Sequence, residues 1–305
     1  MKVLVAGGSG PIGRAVLRVL EQQECQIRVL VRRPVAGPSE VRWDPQRGEL
    51  DPMVVAWADA VVSLNGVSLM KLPWSASYRR EIRDSRVAAT SLIAQTIAQV
   101  QPQPQVWVSG SAVGVYGNRP GEVLTEESGR GSGFLADVVD DWEQAAAPAT
   151  GVTRVVLART SFVLGDEGVL PLLARLGRFG LLGRIGNGQQ YWPWISLADE
   201  ARAIVHLATD SDLSGPVNLV APTLATADDV TGAISQILHR PHVVPAPAWL
   251  LRAGLADAAD DLLLADQQVV PERLTEEGTF HFLDLDLNKL LTAGFGSGFG
   301  FRRFC

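Results

Sequence analysis

The chain has 305 residues, 47% of them hydrophobic, and a formal net charge of −6 at pH 7. This length and composition suffice for a substantial core in one large or two closely packed domains. The acidic balance, without a basic cluster, argues against nucleic acid or an anionic membrane surface as a partner. Because no apolar run approaches the ~20 residues of a membrane span and no signal-peptide pattern precedes the first strand, we expect a cytoplasmic protein.

Cysteine and histidine are too sparse to predict a disulfide framework or a metal site. Cys25 and Cys305 are the two cysteines of the chain, too few for a thiolate cluster. His239 and His242 are close in sequence, but Pro241 breaks the helix that would bring both rings to one face. The absence of a Gly-x-Ser-x-Gly elbow and of a Gly-x4-Gly-Lys-Ser/Thr loop also argues against an α/β-hydrolase and a P-loop NTPase.

The first stretch of the chain has the pattern of a dinucleotide-binding unit. A short apolar run, 2–6, leads into the glycine loop 7–13, and apolar residues then recur at helical spacing. Gly7 permits a tight turn, Gly10 lets the backbone approach a diphosphate, and Gly13 lets the helix pack closely on the strand. The start of the helix adds free N–H groups for an anion. We expect the cofactor phosphates to contact Gly7, Ser9, Gly10, Pro11, Ile12 and Gly13.

A pair of arginines follows the second predicted strand, 26–31. Arg32 and Arg33 stand at about the ~20-residue offset where NAD-binding proteins carry an acidic residue that holds the ribose 2′-hydroxyl. A guanidinium can instead chelate a 2′-phosphate through charge-assisted hydrogen bonds. The pair therefore favours NADP(H) over NAD(H), the alternative being that both arginines simply solvate the end of a strand.

Strands and helices alternate over the next hundred residues. A short strand is predicted at 41–44, buried strands at 59–64, 105–109 and 153–159, and helices at 75–100 and 134–147. This alternation predicts an α/β fold with a right-handed, doubly wound parallel sheet of the Rossmann type. Since ligands of such sheets lie beyond the carboxyl ends of the strands, we expect four further residues at the cofactor: Asn65, Gly66, Ser109 and Arg159.

Beyond Gly165 the pattern changes. Glycines and aromatics crowd the stretch 177–194, as in a binding loop, and a helix at 199–209 precedes a strand at 216–220 that returns to the sheet. A Thr226-x-x-Asp229 cap begins a helix that ends near His239. We therefore predict a cofactor-binding domain at 1–165, completed by 196–221, and a smaller substrate-covering region at 166–195 and 222–305. The stretch 294–305 is expected to be a loose tail.

Several motifs together resemble the extended short-chain dehydrogenases/reductases. More closely, the chain resembles the atypical NAD(P)-dependent epimerase family, whose members are sometimes called nucleoside-diphosphate-sugar epimerases. The motifs are the glycine loop, Ser85-Arg86-x3-Thr90, Ser109 to Gly117, Phe134-Leu-Ala with Trp142-Glu143, Arg159-Thr160-x2-Val163-Leu164-Gly165, Trp194 to Asp199, Pro271-Glu-Arg-Leu274 and Phe280-x-Phe282. The resemblance implies a Rossmann fold with a small terminal domain, a nicotinamide cofactor, a small-molecule substrate and, by analogy, a homodimer in which the 75–100 helices pair.

The catalytic set departs from the family pattern. The usual enzyme has a Ser or Thr and a Tyr-x3-Lys pair, in which the lysine lowers the pKa of the phenol that exchanges a proton with the substrate. Tyr78, Tyr116 and Tyr191 all lack a lysine at that spacing. On the helix where the pair belongs, Leu135 and Val139 occupy its places, and neither can move a proton.

Ser111 and Tyr116 are the candidate catalytic residues. Ser111 matches the family's catalytic serine and could polarise a carbonyl. Tyr116, on the loop after the same strand, is either a proton donor or a buried aromatic whose hydroxyl is satisfied. Asp137 and Asp140 are alternative acids, better explained as a solvated helix face. Tyr191, Trp192 and Trp194 form either a stacking wall for the substrate or part of the core.

The leading hypothesis is an NADP(H)-dependent oxidoreductase or epimerase-like enzyme that acts on a small carbonyl or hydroxyl compound, sugar-nucleotide-like compounds included. The rival hypothesis is a sensor that binds NADP(H) without catalysis and passes the redox ratio to a protein partner. The missing Tyr and Lys favour the sensor. Polar residues expected around the nicotinamide, namely Ser109, Ser111 and Tyr116, favour the enzyme.

Overall fold

The computed structural model describes residues 1–165 and 167–296. Most of its strands form one parallel sheet, flanked by helices. The strands are β1 (Lys2–Ala6), β2 (Gln26–Val31), β3 (Glu40–Arg42), β4 (Ala60–Ser63), β5 (Val106–Ala112), β6 (Val123–Leu124), β7 (Arg154–Thr160), β8 (Phe162–Leu164), β9 (Trp194–Ser196), β10 (Gly215–Leu219) and β11 (Gln268–Val269).

Helices connect these strands and cover both faces of the sheet. The helices are α1 (Pro11–Gln22), α2 (Pro52–Ala56), α3 (Ala76–Gln99), α4 (Phe134–Gln144), α5 (Val169–Arg178), α6 (Leu197–Thr209), α7 (Ala227–Ile237), α8 (Ala248–Leu255), α9 (Asp257–Ala259), α10 (Glu272–Glu277) and α11 (Leu287–Gly296), with 3-10 turns at Val113–Tyr116 and Ala147–Ala149 and a π-helix at Asp260–Leu264. Within the described ranges, none of them is long and apolar enough to cross a bilayer.

The central sheet has seven strands in the order β10-β7-β5-β4-β1-β2-β3, every pair parallel. This confirms the doubly wound Rossmann sheet expected from the sequence. The chain builds outward from β1 in one direction and then returns to build β4 on its other side. The carboxyl ends of β1 and β4 therefore border the crevice where such a sheet binds ligands.

Side-chain alternation along the strands produces two separate cores. In β1, Val3 and Val5 pack with α1 and α6 on one face, whereas Leu4 packs with α3 on the other. All three side chains are fully buried. A strand that is covered on both faces has no solvent-exposed face for polar side chains, which explains why these strands are continuous apolar runs in the sequence.

The second half of the chain forms a third core around α5, α7 and α11. Trp192 and Trp194 are buried in it, 3% and 1% exposed, so these tryptophans are core aromatics. The predicted cap of α7 is confirmed, since Thr226 Oγ1 accepts the Asp229 N–H at 3.1 Å and the carboxylate accepts the Thr226 N–H at 2.8 Å. Of the predicted loose tail, 294–296 belong to α11 and the rest lies outside the described residues.

Candidate active site

The glycine loop between β1 and α1 has the shape of a phosphate cradle. Gly7 has a φ of +88°, and a side chain there would meet the Leu64 carbonyl oxygen at 2.6 Å; at Gly13 it would meet the Gly7 oxygen at 2.2 Å. Gly10 is open, with only the Gly7 oxygen at 3.7 Å, and no side chain caps the first N–H groups of α1. The loop thus fits a dinucleotide diphosphate, with Pro11 in the first turn where its missing N–H is tolerated.

The two arginines after β2 are not equivalent. Arg33 is paired with Glu40, its Nη1 2.8 Å from Oε2 and its Nη2 2.5 Å from Oε1. In the structure Arg33 is thus engaged in an exposed ion pair, and its contact with a cofactor stays a prediction. The exposed side chain of Arg32 has no hydrogen bond or ion pair with any described residue. Of the two arginines, Arg32 is the one without a partner among the described residues.

A cavity of about 330 Å³ lies beyond the carboxyl ends of β4, β5 and β7, between α4 and the π-helix. Ile12 and Gly66 connect its rim to the glycine loop and to the end of β4. Its wall is largely apolar. The polar side chains that line it are Asn65, Arg86, Ser111, Thr160, Ser161, Asp261 and Gln267.

Helix α4 turns an apolar face to this cavity. Leu135 and Val139, which the resemblance sets at the places of the usual tyrosine and lysine, both line it, so this part of the wall offers no group that can move a proton. Asp137 and Asp140 point elsewhere and pair with exposed Arg130. They form the solvated helix face that the sequence suggested as their simpler explanation.

Ser111 lies on the cavity wall, near the end of β5. Its hydroxyl donates a hydrogen bond to Glu143 Oε1 at 2.5 Å. Because its single proton is committed to Glu143, the serine oxygen presents lone pairs to the cavity and can accept a hydrogen bond from a ligand hydroxyl. Ser109 does not reach the cavity. It is 1% exposed, and its hydroxyl lies 3.4 Å from the Gly110 carbonyl.

Tyr116 and Arg159 lie behind Ser111 in a buried network, which corrects both predicted roles. Arg159 Nε and Nη2 donate to Glu143 at 2.8 and 2.9 Å, and Nη1 donates to the Tyr116 hydroxyl at 2.9 Å. That hydroxyl donates to Asn218 Oδ1 at 2.7 Å. Tyr116 is fully buried, and burial raises the pKa of its phenol. Neither residue lines the cavity.

The network explains why a cation is stable in this position. Burial alone would lower the pKa of Arg159, but its hydrogen bonds and charge interaction with Glu143 raise it above the ordinary arginine value. The side chains of Arg159 and Glu143 are 9% and 13% exposed. Arg159 therefore orients the carboxylate that holds Ser111 rather than a cofactor phosphate.

Asp261 is a cavity residue that the sequence reasoning missed. It lies on the π-helix, and its Oδ2 accepts the Leu135 N–H at 3.0 Å. A side chain at Gly133, whose φ is +121°, would lie 2.7 Å from Oδ1, so glycine makes room for the carboxyl group. Burial raises the pKa of Asp261; the Leu135 N–H opposes this effect, and Asp257 and Asp260 reinforce it.

A second acidic group lies behind the cavity wall. Glu200 is fully buried at the start of α6, where Thr160 Oγ1 donates to its Oε1 at 2.6 Å and Oε2 has no partner among the described residues. Burial raises the pKa of Glu200 to about 8, although the Thr160 hydrogen bond opposes this. Since Thr160 lines the cavity, Glu200 is one hydrogen bond away from it.

A seven-stranded parallel sheet with a glycine cradle at its crevice defines an NAD(P)-binding Rossmann protein. The sequence matches the model of the NAD dependent epimerase/dehydratase family over residues 3–220, and the chain belongs to this family. A second model, the domain of unknown function DUF1731, matches residues 246–295. The family and the separate terminal part suggested by the motifs are thereby confirmed.

Similar proteins share both parts of the chain. "Epimerase family protein ML0860" of Mycobacterium leprae is 40% identical over 282 residues, 92% of this chain and 91% of that protein. The crystal structure of the human epimerase family protein SDR39U1 with NADPH has a TM-score of 0.86 at 29% identity, covering 96% of this chain and 98% of that one. A nucleoside-diphosphate sugar epimerase from Corynebacterium glutamicum has a TM-score of 0.79 at 32% identity, covering 97% of this chain and 58% of that one.

Proposed function

We propose that the protein is an NADP(H)-dependent oxidoreductase or epimerase-like enzyme that acts on a small molecule carrying a hydroxyl or carbonyl group. The observation that carries the proposal is the Ser111–Glu143 hydrogen bond of 2.5 Å on the wall of a cavity that begins at the cofactor cradle. A serine held by a half-buried carboxylate is a means of moving a proton at a substrate oxygen.

The cofactor would be held at two places. The glycine loop would hold the diphosphate, and Arg32 would hold the 2′-phosphate of NADP(H). The human relative crystallised with NADPH supports this choice. When bound, the nicotinamide supplies or accepts a hydride at the substrate carbon.

Ser111 and Glu143 handle the proton of the substrate oxygen. Ser111 Oγ accepts a hydrogen bond from the substrate hydroxyl. As that hydroxyl becomes a carbonyl, its proton moves to Ser111 and the serine proton moves to Glu143, so that the total charge is conserved. In the reverse direction the two protons return. Arg159 keeps Glu143 in place throughout by its two hydrogen bonds.

Asp261 supplies a second titratable group at the cavity. Burial raises the pKa of this carboxyl group above the ordinary aspartate value, the direction expected of a carboxyl group that exchanges protons in an active site. Because it lies beside Leu135 on the cavity wall, Asp261 is proposed to exchange a proton with a second polar group of the ligand, while Ser111 and Glu143 serve the reacting oxygen.

Replacing Ser111 with alanine should lower turnover about a hundredfold, the lower range for a general acid–base group, while leaving NADP+ affinity unchanged. The measurement is oxidation of NADPH, labelled with deuterium at C4, against a panel of small aldehydes, ketones and sugar derivatives. Asp261→Asn should reduce turnover and change its dependence on pH. Asp140→Asn, on the solvent-facing side of the helix α4 that borders the cavity, is the control and should behave as the wild type.

A non-catalytic NADP(H) sensor is the second candidate, favoured by the apolar pair Leu135 and Val139. A sensor predicts that no label leaves NADPH with any compound, and that Ser111→Ala changes nothing measurable. If the wild type transfers the label and neither Ser111→Ala nor Asp261→Asn lowers the transfer, the protein is an enzyme but these two residues are not its catalytic groups.

Replacing Arg32 with alanine should weaken NADP+ binding about tenfold or more, because a hydrogen bond between charged groups contributes roughly 1.5–3 kcal/mol. Calorimetric titration of NADP+ and NAD+ measures the effect, and NAD+ affinity should stay the same. The adjacent Arg33→Ala is the matched control, since Arg33 is paired with Glu40. Equal losses in both variants would contradict the distinction between the two arginines.

A further inference from the structure

Arg86 is the one lysine or arginine among the described residues that line the cavity. It lies on α3, close to Gly66 at the end of β4. A side chain at Gly66 would approach the Arg86 Cζ to 2.8 Å. The glycine therefore leaves space for the guanidinium to lie against the end of the strand, next to the cofactor cradle.

The contacts of Arg86 hold it in place without neutralising it. Nη1 donates to the Ile82 carbonyl at 2.9 Å, Nη2 donates to the Val67 carbonyl at 3.3 Å, and the guanidinium lies over the Trp142 ring, 5.3 Å from its centroid. No carboxylate of the described residues lies within ion-pair distance of it. Burial lowers the pKa of Arg86 to about 10, which still leaves it charged at neutral pH.

A partly buried cation without a counter-ion is unusual, because removing a charge from water is costly unless an opposite charge or enough hydrogen bonds compensate. Arg159, another guanidinium beside α4, illustrates the contrast, since it is matched by the two oxygens of Glu143. A guanidinium has five N–H groups, and the carbonyls of Ile82 and Val67 use two of them. The other three have no hydrogen-bond partner among the described residues.

We propose that Arg86 binds an oxyanion of a ligand in the cavity, through the planar fork that matches carboxylate and phosphate groups. Two sources carry such a group: a carboxylate on the substrate and a phosphate on the cofactor. The substrate is the expected source, because Arg86 and Ser111 line the same cavity. In combination with the proposed function, on which this step rests, the substrate class is then a small hydroxy acid or oxo acid.

The test compares the wild type with Arg86→Gln and Arg86→Lys by calorimetry. One arm titrates NADP+ into each protein. The other titrates 2-oxobutyrate, 2-hydroxybutyrate, oxalate and inorganic phosphate into each NADP+ complex, with butan-2-one as the uncharged control. Arg83→Gln is the control variant, since Arg83 lies on the same helix but is exposed and paired with Asp141. Arg86→Lys keeps the charge but loses the planar fork, and it provides the comparison with the wild type if Arg86→Gln does not fold.

We expect Arg86→Gln to weaken carboxylate binding at least tenfold and Arg86→Lys to weaken it less. Arg83→Gln should bind the carboxylates as the wild type does. The affinity for NADP+ should be the same in all of these proteins. A loss confined to the NADP+ arm would support the oxyanion site and assign it to a cofactor phosphate. If no anion and no nucleotide binds the wild type more tightly than Arg86→Gln, the site does not exist. Both arms measure binding and not turnover. If Arg86→Gln transfers deuterium from NADPH as well as the wild type does, the oxyanion site is rejected but the proposed function is not.

Discussion

Replacing Arg159 with alanine should lower the free energy of unfolding by about 3–5 kcal/mol, the cost typical of removing one partner from a buried ion pair. The variant leaves the Glu143 carboxylate buried, with only the Ser111 hydroxyl as a donor. It also removes the hydrogen bond that Arg159 donates to Tyr116. Urea unfolding at neutral pH, monitored by tryptophan fluorescence, measures the loss.

An exposed ion pair provides the control for this experiment. Arg130 pairs with Asp137 and Asp140 in solvent, so Arg130→Ala should cost less than about 1 kcal/mol. A double variant, Arg159→Met with Glu143→Leu, should recover much of the stability lost by Arg159→Ala, because it removes both charges together. An Arg159→Ala protein as stable as Arg130→Ala would mean that the network contributes little to the fold.

The cofactor half of the molecule could be predicted because its signals are local. The strand, glycine turn and helix of residues 2–22 follow one another in sequence, and each requires only its own periodicity or backbone freedom. The apolar runs that became β4, β5 and β7 indicated strands buried on both faces. The right-handedness of the crossover connections limits the strand orders that such a chain can adopt, and the order itself is read from the structure.

Strand β5 shows where local signals stop. Its sequence suggested an end at Ser109 because Gly110 and Ser111 are typical of loops. In the structure the strand continues to Ala112, since Ser111 and Ala112 pair in register with Arg159 and Thr160 of β7. Gly110 fits there because a side chain would meet the Trp142 ring at 3.0 Å. The neighbouring strand and helix, and not the local sequence, determine where β5 ends.

The catalytic candidates could not be separated by sequence for the same reason. Tyr116 bonds to Asn218, 102 residues away, and nothing near Tyr116 shows that its hydroxyl is already used. Asp261 meets Leu135 across 126 residues. Its only local signal was a group of aspartates in an otherwise apolar stretch. Arg32 and Arg33 look alike in sequence, and they are distinguished only by the ion pair that Glu40 on β3 forms with Arg33.

Glu200 offers the second large effect, a change in how stability depends on pH. The pKa of its carboxyl group is about 8 in the folded protein, against an ordinary value near ~4.3 in an unfolded chain. The folded state therefore holds the proton more tightly. Its contribution to stability is complete below the unfolded pKa and is lost as the pH rises through the folded pKa. Between pH 5 and 8 this single group should reduce the free energy of unfolding by roughly 3 kcal/mol.

Replacing Glu200 with glutamine should remove that loss. The amide keeps an acceptor for the Thr160 hydroxyl but has no charge to bury, so the variant should gain stability over the wild type as the pH rises from 5 to 8. Urea unfolding at several pH values and constant ionic strength measures the difference. Glu276→Gln on the exposed face of α10 is the control, and its curve should run parallel to that of the wild type. If the Glu200→Gln curve is also parallel, the carboxyl group is already ionised in the folded protein at pH 5, and burial does not raise its pKa.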